Sequence, residues 1–344
     1  MTQLLTDITV LDRLLAINLD ISLWSARKKL TSEDFGDVEL PPEDLASLGS
    51  KRICDPERLR VFNALKARTF NYLDRHGVRF LGGWAVPEDK AEAIVNRLCA
   101  MRDEFNSQKE SFLIEYDQII QEWLDKHTAW ARIIAHSTVS NEYVRSRMNF
   151  AWQVYRVAPL PEQQSAVHAG LREEVEQLGN TLFNETARDA NEIWRKSYAG
   201  KTEVTHKALS PLRTLRDKLK GLSFVEPHVA PVVDILDMTF SRMPDKGLIQ
   251  GTELLLLQGV VSLLRDPVAL VEHSRTIMRG HGPETVLDAL LKPVPEHTGM
   301  EEADTLPTLD DAPVFSPAMP ELPEEVCPVV ELPPAPLLPS FGLW

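Results

Sequence analysis

Cysteine is scarce in this chain. Three are spread over 344 residues, Cys54, Cys99 and Cys327, with no CxxC pair, and any pairing leaves one thiol over. That pattern excludes a disulfide framework and points to a reducing, cytoplasmic setting. Long apolar runs are missing too. The four leucines at 254–257 fall far short of the roughly 20 residues that cross a bilayer. The N-terminal sequence MTQLLTDITVLDRLL lacks a basic leader segment, and Asp7, Asp12 and Arg13 interrupt its apolar residues, so neither a signal peptide nor an anchor is expected.

Reaction motifs are equally sparse. Nine histidines fall outside HExxH and zinc spacings, and no GxSxG or paired-carboxylate pattern stands out. Gly200-Lys201-Thr202 imitates the end of a phosphate loop, but Arg195 stands where the first glycine belongs and a helix precedes it, so a helix C-cap followed by a surface turn is expected. The sequence assigns no catalytic residue, cofactor or metal ligand, and a non-enzymatic role is expected.

What is present is helix, charge asymmetry and proline. The net charge of -14 is concentrated in residues 293–344, which hold ten acids and no Lys or Arg; without them the body carries -4. The same segment holds 12 of the 24 prolines. It is expected to be an extended, disordered acidic tail. The remainder, in a chain 43% apolar, has the material for a core.

Alternating Ile17, Leu19, Ile21 and Leu23 predict a half-buried strand, after a short helix over 10–15. Asp55-Pro56-Glu57 opens a helix that stops at Gly77, and 77–87 reads as a second strand with a glycine turn. From Ile94 an apolar stripe continues through Leu98, Met101, Phe105, Phe112, Tyr116, Ile119, Trp123, His127, Trp130 and Ile134. No proline interrupts residues 88–158, so a helix over 88–136 is predicted, roughly 70 Å long. His127, on the stripe, reads as a core histidine with a satisfied partner. Residues 143–157 are predicted to be helical again. After Pro159 and Pro161 a second amphipathic stretch carries Val167, Leu171, Val175, Leu178, Leu182, Ala190, Ile193 and Trp194. The expected architecture is mainly α: an N-terminal α+β cap over 1–87, a long antiparallel coiled-coil hairpin over 88–200, a C-terminal helical bundle over 201–292, and the tail. A hairpin can bury its stripe internally or against a second copy, so self-association stays open.

Two elements suggest partners. The 142–156 segment, placed near the hairpin tip, interleaves Arg145, Arg147 and Arg156 with Trp152 and Tyr155, a mixture suited to nucleic acid or a protein hot spot, although packing of the aromatics is the plainer expectation. Arg27-Lys28-Lys29 adds a second basic cluster. At the C-terminus, Phe341, Leu343 and Trp344 end the acidic tether, as in peptide ligands that dock in a groove. Leu81-Gly82-Gly83-Trp84 reads as a strand turn or a close backbone approach.

Three stretches, 19–30 (LDISLWSARKKL), 49–56 (GSKRICDP) and 76–87 (HGVRFLGGWAVP), resemble a bacterial family catalogued as domain of unknown function 3150. The likeness reaches to about residue 290 and leaves the tail outside. The resemblance implies carriage on mobile elements, often beside a MoxR-like AAA+ ATPase and a von Willebrand factor A protein, and transfers no catalytic residue. The expected function is therefore a helical adaptor for such an ATPase in mobile-element maintenance or defence, with the tail docking a partner. The alternative is a DNA-associated structural protein that uses its basic and aromatic residues and is autoinhibited by the acidic tail.

Overall fold

The computed structural model describes residues 10–35, 46, 48–158 and 165–291. They are mostly helical around a small antiparallel sheet. The expected tail, and with it Phe341, Leu343 and Trp344, lies outside the described residues.

Strand β1 (Leu14–Ser22) begins earlier than expected, inside the stretch assigned to the N-terminal helix. A short ribbon follows, β2 (Arg27–Lys29) with β3 (Ser50–Arg52). A 3-10 turn, Pro56–Leu59, leads into α1 (Arg60–His76); the Asp55 carboxylate accepts the Glu57 N–H at 3.0 Å, the cap its sequence promised. Strands β4 (Val78–Phe80) and β5 (Gly83–Pro87) form a hairpin whose two-residue turn puts Leu81 (φ 47) and Gly82 (φ 75) in the left-handed region. Gly83 is fixed by close approach: a Cβ there would lie 2.3 Å from the Ile17 carbonyl oxygen. The close approach is thus to the chain's own neighbouring strand.

The predicted 70 Å helix does not exist. Helix α2 (Glu88–Ile114) ends after 27 residues, α3 (Tyr116–Lys126) restarts beyond Glu115, and a 3-10 turn (Thr128–Trp130) precedes α4 (Ala131–Ala135). The reason is local competition: Asn141 Nδ2 donates to the Leu113 carbonyl at 2.5 Å and the Tyr116 hydroxyl donates to the Val139 carbonyl at 2.8 Å. These bonds hold the segment that follows the break against the helix ends. The stripe is buried from Ile94 through Ile119, but Trp123 and His127 are half-buried and Trp130 is exposed.

The 143–157 helix is also overturned. Helix α5 (Asn141–Arg147) lasts two turns, and β6 (Asn149–Tyr155) pairs antiparallel with β1 from Asn149↔Ser22 to Tyr155↔Ala16. Phe150, Trp152, Val154 and Tyr155 are β-favouring residues, and β1 offers a free edge to pair with. The sheet order is β4-β5-β1-β6.

The second amphipathic stretch splits into α6 (Ser165–Glu176) and α7 (Leu178–Ile193) and closes with a π-helical turn, Trp194–Tyr198. It forms no hairpin with α2: α2 packs on α1 and the sheet, whereas Leu178, Leu182, Ala190 and Ile193 enter a core shared with the C-terminal helices. Those helices are α8 (Leu209–Gly221), α9 (Val229–Ser241), α10 (Gly251–Leu264), α11 (Pro267–Met278) and α12 (Pro283–Leu291); the all-helical expectation for this region missed a two-stranded ribbon, β7 (Glu203–Thr205) with β8 (Leu248–Gln250). No single helix among the described residues is long and apolar enough to cross a membrane.

The sheet is covered on both faces. Trp84 and Val86 of β5 pack with Leu73, Ile94 and Leu98 of α1 and α2, while Ala85 joins Val78 and Phe80 in the core of α7–α10. That explains why all five β5 residues are buried. Packing therefore crosses residues 87 and 200. At the seam lies a buried ion pair: Lys218 Nζ meets Glu185 Oε2 at 2.7 Å and donates to the Asp74 carbonyl at 2.6 Å, and Glu185 Oε1 accepts the Arg79 N–H at 3.0 Å. Asp74 in turn receives Trp84 Nε1 at 2.8 Å and Arg79 Nε at 3.0 Å. Glu185→Ala strands the Lys218 ammonium and the Arg79 amide, and an unfolding free energy lower by about 3–5 kcal/mol is expected in urea titration.

Candidate nucleic-acid interface

The β2–β3 ribbon sets like charges against each other. Its register places Arg27 opposite Arg52 and Lys28 opposite Lys51, with Lys29 opposite Ser50. Like charges directly across a ladder repel. The ribbon forms nevertheless because both of its strands are anchored at one end. Trp24 and Ala26 precede β2 and Ile53 and Cys54 follow β3, all four inside the core that holds Phe62, Phe105 and Tyr116. Ala26 adopts φ 51, turning the chain out of β1, and its carbonyl accepts the Ile53 N–H at 2.9 Å. Burial raises the Cys54 thiol to about 11, so this thiol is inert.

One of the cations is already neutralised. Lys51 pairs with Asp34, whose carboxylate also accepts the Thr31 N–H at 2.8 Å. Burial opposes ionisation of Asp34, but these donors prevail and hold its carboxyl below the usual carboxylate range. Arg27, Lys28 and Arg52 have no carboxylate partner among the described residues.

Arg147 joins this face. It ends α5, whose N-cap Ser140 Oγ accepts the Tyr143 N–H at 3.2 Å, and its guanidinium lies 5.1 Å from the Tyr143 ring centroid. A hollow of about 240 Å³ brings Arg147 and Tyr143 together with Arg27, Lys28 and Trp24. A separate groove of about 320 Å³ runs among Phe35, Lys51, Arg52, Trp123, His127 and Trp130. The Trp123 indole donates to the Arg52 carbonyl at 3.3 Å and packs against the His127 ring with centroids 4.3 Å apart. Contrary to the satisfied core histidine expected, His127 Nε2 is buried with no hydrogen-bond partner.

The other residues expected at a hairpin tip are dispersed. Arg145 is held by Glu110 at 2.5 Å, which lowers the Glu110 pKa and raises that of Arg145. Arg156 lies beyond the far end of β6, about 25 Å of strand from Arg147. It donates to the Asp12 carbonyl at 2.5 Å and pairs with Glu88, fastening β6 to the start of α2. Trp152 is half-buried beneath Arg102, 5.1 Å from its ring centroid, and Tyr155 is exposed at the far end of the strand. Of the basic residues singled out in the sequence, the structure gathers Arg27, Lys28, Lys29 and Arg147. Lys51 and Arg52 escaped the sequence reading. Their signal was a second basic pair in a short run lacking helical periodicity.

The depressed Asp34 pKa ties the ribbon to pH. Its contribution is present above the unfolded carboxylate value of about 3.9 and is lost as pH falls through the lower folded value. Asp34→Asn is expected to destabilise the protein by about 1 kcal/mol at neutral pH, with the difference vanishing on the acid limb, as read by thermal melts across pH. Equal melting differences at pH 7 and pH 2.5 would refute this account.

No curated protein and no solved structure matches the chain. A family model described as a protein of unknown function, DUF3150, matches residues 11–266, a span that includes the sheet, the ribbon, the groove and the C-terminal helices through α10. The three stretches of resemblance in the sequence all fall inside that match, and the chain belongs to the DUF3150 family.

Proposed function

We propose that this chain is a non-enzymatic structural protein that binds nucleic acid through the β2–β3 ribbon. The observation that carries the reading is the register itself: two pairs of like charges face each other across the ladder, Lys51 alone of the four is paired with a carboxylate, and Arg147 lies beside them. Phosphates laid along the ribbon relieve this repulsion and release counterions. The net charge of the whole chain does not oppose it, because a local patch governs contact within a Debye length, about 8 Å at physiological salt. Lys28→Glu with Arg52→Glu is expected to weaken binding of a labelled oligonucleotide by about 100-fold and to flatten the log–log salt dependence by about two. Fluorescence anisotropy from 50 to 200 mM salt gives both, the range over which phosphate-dominated binding changes most. Affinity that does not change with salt rejects the reading.

A second reading is the helical adaptor for a MoxR-like AAA+ ATPase or its von Willebrand factor A neighbour, with Phe341, Leu343 and Trp344 as docking residues. The ATPase association rests on the family resemblance. A surface observation favours a protein partner: Leu255 on α10 and Val268 and Met278 on α11 are large apolar side chains 61%, 69% and 55% exposed. Ending the chain at Lys292, or changing Leu255 to Glu, is expected to reduce capture of the purified ATPase at least tenfold. Undiminished capture by both variants would discard the adaptor reading.

A further inference from the structure

We infer that the nucleic acid is single-stranded, and that the groove beside the ribbon receives one of its bases between Trp130 and the Trp123–His127 pair. This rests on the ribbon reading and adds a substrate class to it.

The groove and the ribbon share two residues. Lys51 and Arg52 line the groove and also face Lys28 and Arg27 across the ladder. Successive ribbon residues alternate faces, so a backbone held by Arg52 and its cross-strand partner Arg27 is the one that reaches the groove mouth, where a splayed base meets aromatic faces. Trp130 is 59% exposed, an unusual state for the largest apolar side chain and the one expected of an unfilled stacking platform. The volume, about 320 Å³, lies at the lower end of small-ligand sites and suits one planar ring.

The groove wall is mostly apolar, with Leu30, Ile133 and Ile134 in it, and it is the aromatic rings and the charge at its edge that favour a base over a plain apolar side chain. His127 contributes its ring to the groove wall beside the Trp123 indole, with centroids 4.3 Å apart. Arg52 brings a positive charge to the rim with no carboxylate partner among the described residues, and an uncharged apolar peptide gains nothing from it. In a duplex, bases remain stacked within the helix and only phosphates reach the ribbon. Arg27, Lys28 and Arg52 thus attract either form, and the groove discriminates between them.

The test uses the full-length protein with three fluorescein-labelled probes of equal phosphate number: oligo(dT), its abasic counterpart and a duplex. Oligo(dT) is expected to bind about tenfold tighter than either other probe at the same ionic strength and to quench tryptophan fluorescence. Trp130→Ala removes that preference, a loss of about tenfold for oligo(dT), and leaves duplex affinity and the salt slope unchanged. Because Trp130 is largely exposed, the variant is expected to keep the parental melting temperature, and the abasic probe reads the same contact without any mutation. Equal affinity for oligo(dT) and the abasic strand overturns the inference and leaves the ribbon reading standing. Salt-independent binding, or none, overturns both. Quenching by an acidic tryptophan-containing peptide, with oligo(dT) inert, reassigns the groove to a protein partner.

Discussion

The fold turns on one buried charge pair. Lys218 and Glu185 have side chains 1% and 7% exposed. They sit where the C-terminal helices meet the sheet, and their three hydrogen bonds reach α1, α7 and β4 at once. A purely apolar seam would hold these elements by area alone and would tolerate sliding. A lysine that must reach one carboxylate and one carbonyl fixes α8 relative to α1 within hydrogen-bond tolerance. Asp74 extends the restraint, because its carbonyl serves Lys218 while its carboxylate serves Arg79 and Trp84. The hairpin β4–β5 is thereby fixed from both sides, and through β5 so is β1, the strand from which the basic ribbon departs.

The sequence was most legible where local chemistry decides. Asp55-Pro56, Pro267 and Pro283 mark helix starts, Gly77 marks a stop, and alternating apolar residues mark β1. The C-terminal helices were legible as a bundle because proline punctuates them: α11 and α12 each begin at one, Pro267 and Pro283. It was least legible where pairing is remote. Phe150, Trp152 and Tyr155 have spacings that fit either a helix or a strand, and what decides is the vacant edge of β1, more than 120 residues earlier in the chain. The missing hairpin has the same origin. Each stripe was real, but both were buried against partners other than each other.

The candidate interface was half legible. The run Arg27-Lys28-Lys29 was visible as a cluster, and Arg147 as part of an Arg-aromatic segment. Nothing local said that Lys51 and Arg52 would lie opposite the first cluster, since three-residue strands carry almost no pattern. Arg145 and Arg156 show the converse: equal in sequence to Arg147, they are consumed by Glu110, Glu88 and the Asp12 carbonyl. Trp123, His127 and Trp130 continued the apolar stripe and so read as core. The helix breaks after Ile114 and Lys126 turned the end of that stripe outward.

The carboxylate of Glu185 has one more effect. The outer edge of the sheet at β4 would expose the Arg79 amide, and Glu185 Oε1 occupies it, so a side chain stands where another strand's carbonyl would pair. At the opposite edge, β6 meets β1 on one side and no strand on the other among the described residues. A sheet sealed at one border and open at the other has a direction of growth: any fifth strand, whether from this chain or from another copy, can join only alongside β6.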